Sequence, residues 1–381
     1  MKKICFISVI SDAYTDQRIL RTASVLSEMN YEIIILGRKT SKTTLFSLNL
    51  QHYTIKLLQV PFKRGVGMYL FFNIQLFLQL LFFIIKNRKN KILLFANDLD
   101  TLLPNYIVSK IFRLQLIYDS HELFTEVPEL QNRKIKKKIW ETLEKWIVPK
   151  LPFAITVNES IAQWYQNKYH ILFYVIRNVS STPHLSRIKS RTDLKLPTHK
   201  KILILQGTGI NIHRGAEELV EAMRYLNDDY LLLIIGGGDV IDILRQKVHD
   251  LKLDNKVIIK NRMPADELFH YTANANLGIS IDKPNNLNYL YSLPNKIFSY
   301  INAHIPILAS RLPEIEKIIS KYQIGMFIDN HQPEHIANKI KEALHHPEYS
   351  IWKQNTYIAN QDLQWDKEKE ILKNLIKAIN E

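Results

Sequence analysis

The sequence predicts an α/β fold of two domains, each built on a parallel β-sheet with helices on both faces. Length is the first observation: 381 residues suit two domains of about 150–200 residues better than one hydrophobic core. The second is that short apolar runs rich in β-branched residues alternate with segments of helical periodicity in both halves. This alternation is typical of parallel sheets covered on both faces.

The first half has six apolar runs that we predict to be strands, at residues 3–10, 32–36, 55–60, 92–96, 115–119 and 153–157. Helical periodicity predicts helices at 16–29, 102–112 and 134–151. After residue 200 the pattern restarts, with strands expected at 202–206, 231–235, 257–260, 277–281 and 307–309. Helices are expected there at 215–226, 239–251, 265–273 and 294–303, and a last helix at 365–379.

A polar stretch at residues 178–200 interrupts this alternation, and it contains Ser180-Ser181-Thr182-Pro183. Clusters of this kind mark loops between folded segments. We therefore expect a first domain at residues 1–180 and a second domain at 181–361.

The sequence has a single cysteine, Cys5, inside the apolar run 4–10. It cannot form an internal disulfide, so we expect a cytoplasmic protein with Cys5 in the core. The start Met1-Lys2-Lys3 resembles the charged end of a signal peptide, but the apolar run breaks at Ser11-Asp12 without a small-residue cleavage site. A first β-strand is the better interpretation.

Net positive charge is concentrated in the first half. Residues 1–178 hold 25 Lys and Arg against 13 Asp and Glu, whereas residues 179–381 hold 26 against 24. The basic clusters are Lys63-Arg64; Lys86, Arg88, Lys89 and Lys91; and Arg133, Lys134, Lys136, Lys137 and Lys138. A one-sided basic surface suits an anionic membrane, although a solvated helix face explains each single cluster equally well. The aromatic interleaving of nucleic-acid sites is lacking, so no nucleic-acid partner is expected.

The apolar stretch 68–85 barely reaches the length that spans a membrane, and it contains Asn73, Gln75 and Gln79. Three amides weaken the transmembrane interpretation. A buried crossover helix is the leading interpretation, and a helix that dips into the membrane interface is the alternative, because basic flanks are typical of interfacial helices.

The placement of glycine distinguishes two classes of nucleotide-binding protein. A dinucleotide-dependent dehydrogenase needs a glycine-rich turn after its first strand, but here that strand runs into Ser11-Asp12-Ala13-Tyr14. Eight of the 11 glycines lie beyond residue 200, two of them in Gly207-Thr208-Gly209 directly after a predicted strand. Such a turn lets backbone N–H groups approach a phosphate, and Arg214 could neutralise it. A plain βα turn with a surface arginine remains an equal alternative.

Two other segments of the second half bear on ligand binding. Gly236-Gly237-Gly238 ends a predicted strand and either permits close packing or leaves room for a ligand, and the sequence does not separate the two. Pro294 suits the first turn of a helix, so the N–H groups around Tyr291–Asn295 form an anion site to which Lys296 adds positive charge. Together these features indicate a bound diphosphate.

The second half resembles the donor domain of group 1 glycosyltransferases with the two-domain GT-B fold. The resemblance is carried by the segments 206–209, 213–215, 217–223, 233–238, 275–279, 293–298 and 305–310. The first half agrees through Asp16-Gln17-Arg18-Ile19-Leu20, 97–102 and Tyr118-Asp119-Ser120-His121-Glu122. The motifs occur in the expected order over nearly the whole chain.

The resemblance implies two facing Rossmann-like domains and a last helix, at about 362–381, that crosses back onto the first. It implies donor contacts from Gly207, Thr208, Gly209, Arg214, Arg262, Tyr291, Ser292, Leu293, Asn295, Lys296 and Ser299. Arg214 and Lys296 would be catalytic together with His121, which would face the donor sugar. Asp16, Arg18, Asp98 and Glu122 are candidates for acceptor-side contacts, as is Asp119.

Three positions depart from the family pattern. Two glutamates with seven residues between them are common in the family, one near the transferred sugar and one on the nucleotide ribose. Alignment places Tyr291 at the first position and Ser299 at the second. Thr208 stands where the family has its first basic residue after the glycine turn. A serine hydroxyl is shorter than a carboxylate and uncharged, so the resemblance does not carry the bidentate contact of the family's glutamate with the ribose over to Ser299.

The resemblance implies transfer of a sugar, with retention, from a UDP- or GDP-sugar, without a metal or other cofactor. We expect a lipid-linked glycan acceptor in cell-surface polysaccharide synthesis and a peripheral position on the cytoplasmic face of the inner membrane. Two alternatives remain: a sugar-nucleotide epimerase of the same fold, which would release free sugar and nucleotide, and a weakly active nucleotide-sugar-binding homologue.

Overall fold

The computed structural model describes residues 1–14, 16–39, 53–62, 65–180, 183, 185 and 187–380. The predicted basic cluster Lys63-Arg64 and part of the predicted interdomain loop lie outside these residues. The chain forms two compact units, Met1–Asn178 with Glu368–Glu381 and Val179–Lys367.

The first unit is built on a parallel sheet of seven strands in the order β3-β2-β1-β4-β5-β6-β7. The strands are β1 Lys3–Ser8, β2 Tyr31–Arg38, β3 Tyr53–Leu58, β4 Lys91–Asn97, β5 Gln115–Ser120, β6 Phe153–Thr156 and β7 Tyr174–Val175. The helices are α1 Gln17–Glu28, α2 Val66–Lys86, α3 Leu99–Phe112, α4 Pro128–Gln131, α5 Lys134–Ile147 and α6 Glu159–Tyr169.

Strand β1 lies inside this sheet, between β2 and β4. Its Phe6 is in register with Ile34 of β2 and Leu94 of β4. The strands are nearly continuous apolar runs because helices cover both faces of a parallel sheet. The strand order reverses between β1 and β4, and sheets of this type bind ligands at the carboxyl ends of the strands beside such a reversal.

Helix α2 connects β3 to β4, so the apolar stretch 68–85 is a crossover helix. One face is buried through Met68, Phe72, Leu76, Leu80 and Ile84. The opposite face is apolar as well but exposed. Within the described residues it is the one helix whose length and composition would allow it to cross a membrane.

The second unit has a parallel sheet of six strands in the order β10-β9-β8-β11-β12-β13. The strands are β8 Lys201–Gly207, β9 Tyr230–Gly236, β10 Val257–Asn261, β11 Leu277–Ser280, β12 Ile307–Ser310 and β13 Gly325–Ile328. The helices are α7 Ala216–Ala222, α8 Ile241–Asp250, α9 Ala265–Ala273, α10 Leu287–Leu290, α11 Asn295–Asn302, α12 Pro313–Tyr322, α13 Pro333–His345 and α14 Tyr349–Asp362. The strand order reverses between β8 and β11.

The last helix, α15 Trp365–Asn380, belongs to the first unit from Glu368 onward. Glu368 is buried and accepts hydrogen bonds from the backbone N–H and the Nε of Arg177, both at 2.8 Å. Lys369 contacts Glu28 of α1 at 2.7 Å. The predicted fold class, two α/β units with a C-terminal helix that returns to the first, is confirmed.

Several elements were not predicted. The sequence pattern gave no strand at β13 and no helix at α6 or at α12 to α14. Helix α3 begins at Leu99, three residues before its predicted start. Asp98, which directly precedes it, has a positive φ of 58° that periodicity does not reveal.

Candidate active site

A buried carboxylate in the second unit holds two cationic side chains together. Asp282 is fully buried; its Oδ1 lies 3.2 Å from Nη1 of Arg214 and its Oδ2 lies 3.3 Å from Nζ of Lys296. Asp282 follows β11, Arg214 follows β8, and Lys296 lies in the first turn of α11. These are the strands between which the sheet order reverses, so both cations lie where such sheets bind ligands.

Close backbone packing fixes Arg214 beside Asp282. Gly215 has a φ of 76°, and a Cβ there would collide with the carbonyl oxygen of Ile281. The N–H of Lys283 donates to the carbonyl of His213 at 2.9 Å. Only glycine tolerates both the left-handed backbone and this approach, so the loop after β8 is held against the loop after β11.

The electrostatics of this group favour a bound anion. Burial opposes charge on Arg214, but Asp282 and Tyr289 outweigh it and raise the pKa of the guanidinium, whose carbon lies 4.6 Å from the Tyr289 ring centroid. Burial lowers the pKa of Lys296 more than Asp282 raises it. The Nε of Arg214 is buried and has no hydrogen-bond partner within the described part of the chain. Two cations thus share one carboxylate, with a donor to spare for a ligand.

The glycine turn after β8 is open. The nearest atom to a Cβ built on Gly207 is the nitrogen of Gly209 at 4.0 Å. By contrast, a Cβ on Gly236 would collide with the Gly207 carbonyl, and one on Gly238 with the Ile210 carbonyl. The triple glycine therefore serves close packing at its first and third positions, and the space lies at Gly207–Gly209.

A cavity of about 480 Å³ lies at the carboxyl end of β10, lined among others by Asn261, Arg262, Met263 and Tyr271. Arg262 also donates a hydrogen bond to the carbonyl of Thr208, so this side chain connects the cavity to the glycine turn. Cavities of this size hold small organic ligands.

The segment before α11 presents the remaining predicted donor residues. Pro294, which the sequence placed in the first turn, has an extended backbone and directly precedes the first residue of α11. Tyr291, Ser292 and Leu293 before it are half-buried, and Asn295 is exposed. The Oγ of Ser292 donates to the carbonyl of Tyr289 at 2.8 Å. Ser299 is half-buried one turn into the helix, and its Oγ donates to the Asn295 carbonyl at 3.3 Å.

The first unit carries a second polar group, centred on His121. Its Nδ1 lies 3.3 Å from Oδ2 of Asp98, and its Nε2 lies 3.2 Å from Oδ1 of Asn97 and 3.6 Å from Oδ2 of Asp119. Burial lowers the pKa of the imidazole, but Asp98 and Asp119 outweigh it and raise the pKa to about 9. The ring is therefore an imidazolium at neutral pH, a donor of hydrogen bonds and a source of positive charge.

The backbone of Asp98 is strained. Its φ of 58° and ψ of 165° fall in a region that is almost restricted to glycine and costs about 1–3 kcal/mol for other residues. Oδ1 accepts the backbone N–H of His121 at 2.9 Å, and the Asp98 N–H donates to the carbonyl of Asp119 at 2.9 Å. Strain of this kind concentrates at functional sites. Burial raises the pKa of Asp98 despite the neighbouring imidazolium.

Arg18, expected on the acceptor side, lies instead in a buried ion pair. Its Nη2 and Nε donate to the two oxygens of Asp119 at 2.6 and 2.8 Å, and its Nη1 donates to the Ile176 carbonyl at 2.8 Å. Asp16 caps α1 by accepting the backbone N–H groups of Arg18 and Ile19 at 3.1 and 3.3 Å. Glu122 is half-buried, two residues beyond β5.

The His121 group should make stability depend on pH. A folded-state pKa near 9, against about 6.5 in the unfolded chain, stabilises the fold below pH ~6.5, and this contribution is lost as pH rises through about 9. The difference between the two pKa values corresponds to an effect on the order of 3 kcal/mol, and the raised pKa of Asp98 acts in the same direction, since it also makes stability fall as pH rises. Urea unfolding of the wild type and His121→Asn should diverge below pH ~8 and converge above ~9.5. Parallel profiles would contradict the charge assigned to His121.

Sequence reasoning missed Asp282, Asn97 and Tyr289. Asp282 directly follows an apolar run that we predicted to be a strand, so its position at the carboxyl end of a parallel strand was a usable signal. Asn97 directly follows the predicted strand 92–96 and carried the same signal. Tyr289 carried none, because its role depends on the orientation of its ring beside Arg214.

Residues 186–359 match the family model described as glycosyl transferases group 1. A search of the curated proteins finds no match. Among solved structures, sucrose-phosphate synthase from Thermosynechococcus elongatus has a TM-score of 0.82 at 17% identity, covering 100% of this chain and 99% of that one. Anabaena HepE in complex with UDP and glucose has a TM-score of 0.75 at 15% identity, covering 99% and 100%. WaaG, a glycosyltransferase involved in lipopolysaccharide biosynthesis, has a TM-score of 0.67 at 12% identity, covering 99% of each chain.

At these identities the solved structures establish only the fold, which is of the GT-B type. The family model establishes that the second unit is related to group 1 glycosyltransferases. The Arg214–Asp282–Lys296 group and the open glycine turn both lie within the matched residues. The second unit is therefore that of a group 1 glycosyltransferase.

Proposed function

We propose that this enzyme transfers a sugar from a nucleoside-diphosphate sugar to an acceptor, with the diphosphate bound by the second unit. The observation that carries the proposal is the pair of cations, Arg214 and Lys296, held by buried Asp282 beside the open turn at Gly207–Gly209. HepE binds UDP in its crystal structure, which supports UDP among the UDP- and GDP-sugar donors that we consider. The cavity at Arg262 is of a size to hold a nucleobase.

The proposed chemistry is electrostatic. The bond between the anomeric carbon and the diphosphate oxygen breaks, a bond to the acceptor oxygen forms on the same face, and the acceptor proton passes to the departing phosphate. Arg214, Lys296 and the N-terminus of α11 stabilise the charge that develops on the diphosphate. We propose that no metal ion is required, because these groups supply the positive charge. Transfer on one face retains the anomeric configuration.

In this proposal His121 acts on the sugar or its acceptor through its positive charge and not as a general base. Its raised pKa supports this role, since an imidazolium has no free lone pair at neutral pH. Both ring nitrogens already have partners in Asp98 and in Asn97 or Asp119, which fix the orientation of the ring.

We propose a lipid-linked glycan as the acceptor, in cell-surface polysaccharide synthesis, and a peripheral position on the cytoplasmic face of the membrane. The basic first half of the chain supports an anionic surface partner. WaaG acts in lipopolysaccharide biosynthesis, and this likeness of fold supports the same class of pathway.

The test is a donor screen followed by product analysis. Thermal shifts against UDP- and GDP-sugars select the donor, and the labelled donor is then incubated with lipid extracts from cells, with and without EDTA. We expect label in the lipid fraction with unchanged anomeric configuration by NMR, and no loss with EDTA. If free sugar and nucleotide are released to the same extent with and without the lipid extract, an epimerase is favoured. Binding of the donor without turnover would favour a non-catalytic homologue.

A substitution of Ser299 is expected to strengthen donor binding and not to weaken it. The Ser299→Glu variant should bind the donor about tenfold more tightly, because a carboxylate reaches further and forms stronger hydrogen bonds to ribose hydroxyls than a serine does. Calorimetric titration with the donor measures this, with Ser299→Gln separating length from charge. Weaker binding in Ser299→Glu would argue against a ribose contact at this position.

A further inference from the structure

Helix α2 exposes an apolar stripe that no other described segment covers. Leu70, Ile74, Leu78, Phe82 and Ile85 recur at intervals of three or four residues and are each 49–58% exposed. That spacing places them on one face of the helix. Single exposed apolar residues are ordinary, but a contiguous stripe marks a contact with a partner or a membrane.

Helix α5 contacts α2 and exposes apolar side chains as well. Ile135, Ile139 and Trp146 are 80%, 56% and 48% exposed, and the rings of Tyr69 on α2 and Trp140 on α5 lie 5.3 Å apart. The stripe on α2 and these three residues of α5 together form what we call the α2–α5 face.

Positive charge flanks the face. Exposed lysines lie along α5 at Lys134, Lys138 and Lys145. The end of α2 is basic as well, with Lys86 as its last residue and Arg88 and Lys89 just beyond it. Residues 33–97 contain ten Lys and Arg and no Asp or Glu. This charge repels a second copy of the same face and complements an anionic lipid surface, where each nearby basic side chain adds about 1 kcal/mol of attraction.

The opposite side of α2 is fixed to the first unit. Phe72, Leu76 and Leu80 are fully buried, and the side-chain amides of Asn73 and Gln75 donate to the carbonyls of Asp100 and Gln59 at 2.9 and 2.7 Å. A helix that crossed a bilayer would lose these contacts. A helix that lies in the plane of the interface keeps them and buries the exposed stripe.

We propose that the α2–α5 face binds anionic membrane directly, with α2 lying parallel to the surface at the depth of the acyl-chain boundary. The inference rests on the proposed lipid-linked acceptor, to which it would bring the enzyme. It goes beyond that proposal by naming the surface, the orientation of α2 and the lipid charge.

The test is co-sedimentation of the full chain with vesicles of phosphatidylcholine and phosphatidylglycerol, and with vesicles of phosphatidylcholine alone. We expect binding to the mixed vesicles that weakens with salt, and at least tenfold weaker binding for Leu78→Glu/Phe82→Glu, because each large apolar side chain contributes more than tenfold when buried. Ile243→Glu/Ile358→Glu is the matched control, since both residues are similarly exposed in the second unit, and it should bind like the wild type. Equal binding by the wild type and the α2 variant would overturn the proposal.

A second readout tests the orientation. Cys5 is fully buried and burial raises the pKa of its thiol, so Phe82→Cys provides the reactive site for a fluorophore. Quenching by lipids brominated near the headgroup supports an in-plane helix, and quenching only by lipids brominated at the chain ends overturns it. A wild-type dimer in sedimentation velocity that Leu78→Glu/Phe82→Glu makes monomeric would show a protein interface and would also overturn it.

The outcome is independent of the donor site. Vesicle binding needs neither donor nor acceptor, and the thermal shift with nucleotide needs no vesicle. Arg214→Ala should bind vesicles like the wild type, and Leu78→Glu/Phe82→Glu should retain the thermal shift with nucleotide. A wild type that binds nucleotide but not vesicles rejects the membrane face alone, and a wild type that binds vesicles but not nucleotide rejects the proposed function alone.

Discussion

The Arg214→Ala variant is expected to lower kcat/KM for sugar transfer by at least about 100-fold, the effect typical of losing one group that stabilises developing charge. Arg214 is half-buried beside Asp282, and its Nε has no partner within the described residues. The guanidinium therefore has a donor available to a phosphate oxygen. Alanine also leaves Asp282 with Lys296 alone, so Lys296 becomes less available to the donor.

Two variants make this result specific. Arg311→Ala removes an exposed arginine of the same unit, paired with Glu316 at 2.6 Å, and should leave kcat/KM unchanged. Arg214→Lys keeps the charge without the planar fork of donors and should recover only part of the activity. Initial rates at several donor concentrations separate KM from kcat. Equal activity in Arg214→Ala and the wild type would place the diphosphate elsewhere.

The Arg18→Met variant is expected to lower the free energy of unfolding of the first unit by about 3–5 kcal/mol, because it leaves a buried carboxylate without its main partner. Arg18 is 4% exposed and donates two hydrogen bonds to Asp119 and one to Ile176. Burial raises the pKa of Asp119, but Arg18 and His121 outweigh it and lower the pKa to about 2. Asp119 is therefore charged throughout the neutral range in the wild type, and the variant leaves it His121 as the nearest cation.

Urea unfolding followed by tryptophan fluorescence measures this loss, since three of the five tryptophans, Trp140, Trp146 and Trp164, lie in the first unit. Lys2→Met is the matched control: it removes an exposed pair with Glu32 at 3.5 Å and should cost less than about 1 kcal/mol. A loss below about 1 kcal/mol in Arg18→Met would show that the pair contributes little.

The architecture could be predicted because it rests on local patterns. Each sheet strand that was predicted is an apolar run short enough to be a strand, and the helices between them have a 3.6-residue period. Strand Gly325–Ile328 escaped prediction because it lies at the edge of the sheet and only its last residue is buried, so it lacks the apolar run of a central strand.

The candidate site could be predicted only in part. Arg214 and Lys296 lie close to glycine and proline signals, so their chemistry could be inferred from neighbours in sequence. The partnership of Arg18 with Asp119 spans 101 residues, and charge type alone does not distinguish a buried pair from a substrate contact. Asp282 binds two cations that lie 68 and 14 residues away, a relation that only the folded sheet creates.

The central claim is that the second unit recognises a diphosphate through Arg214 and Lys296. Calorimetric titration of the full chain with UDP, UMP, GDP and GMP tests it most directly. We predict that one nucleoside diphosphate binds at least tenfold more tightly than its monophosphate, and that Lys296→Met and Arg214→Ala each remove most of this difference. Equal affinity for the diphosphate and the monophosphate, or a preference that both variants retain, would contradict the account.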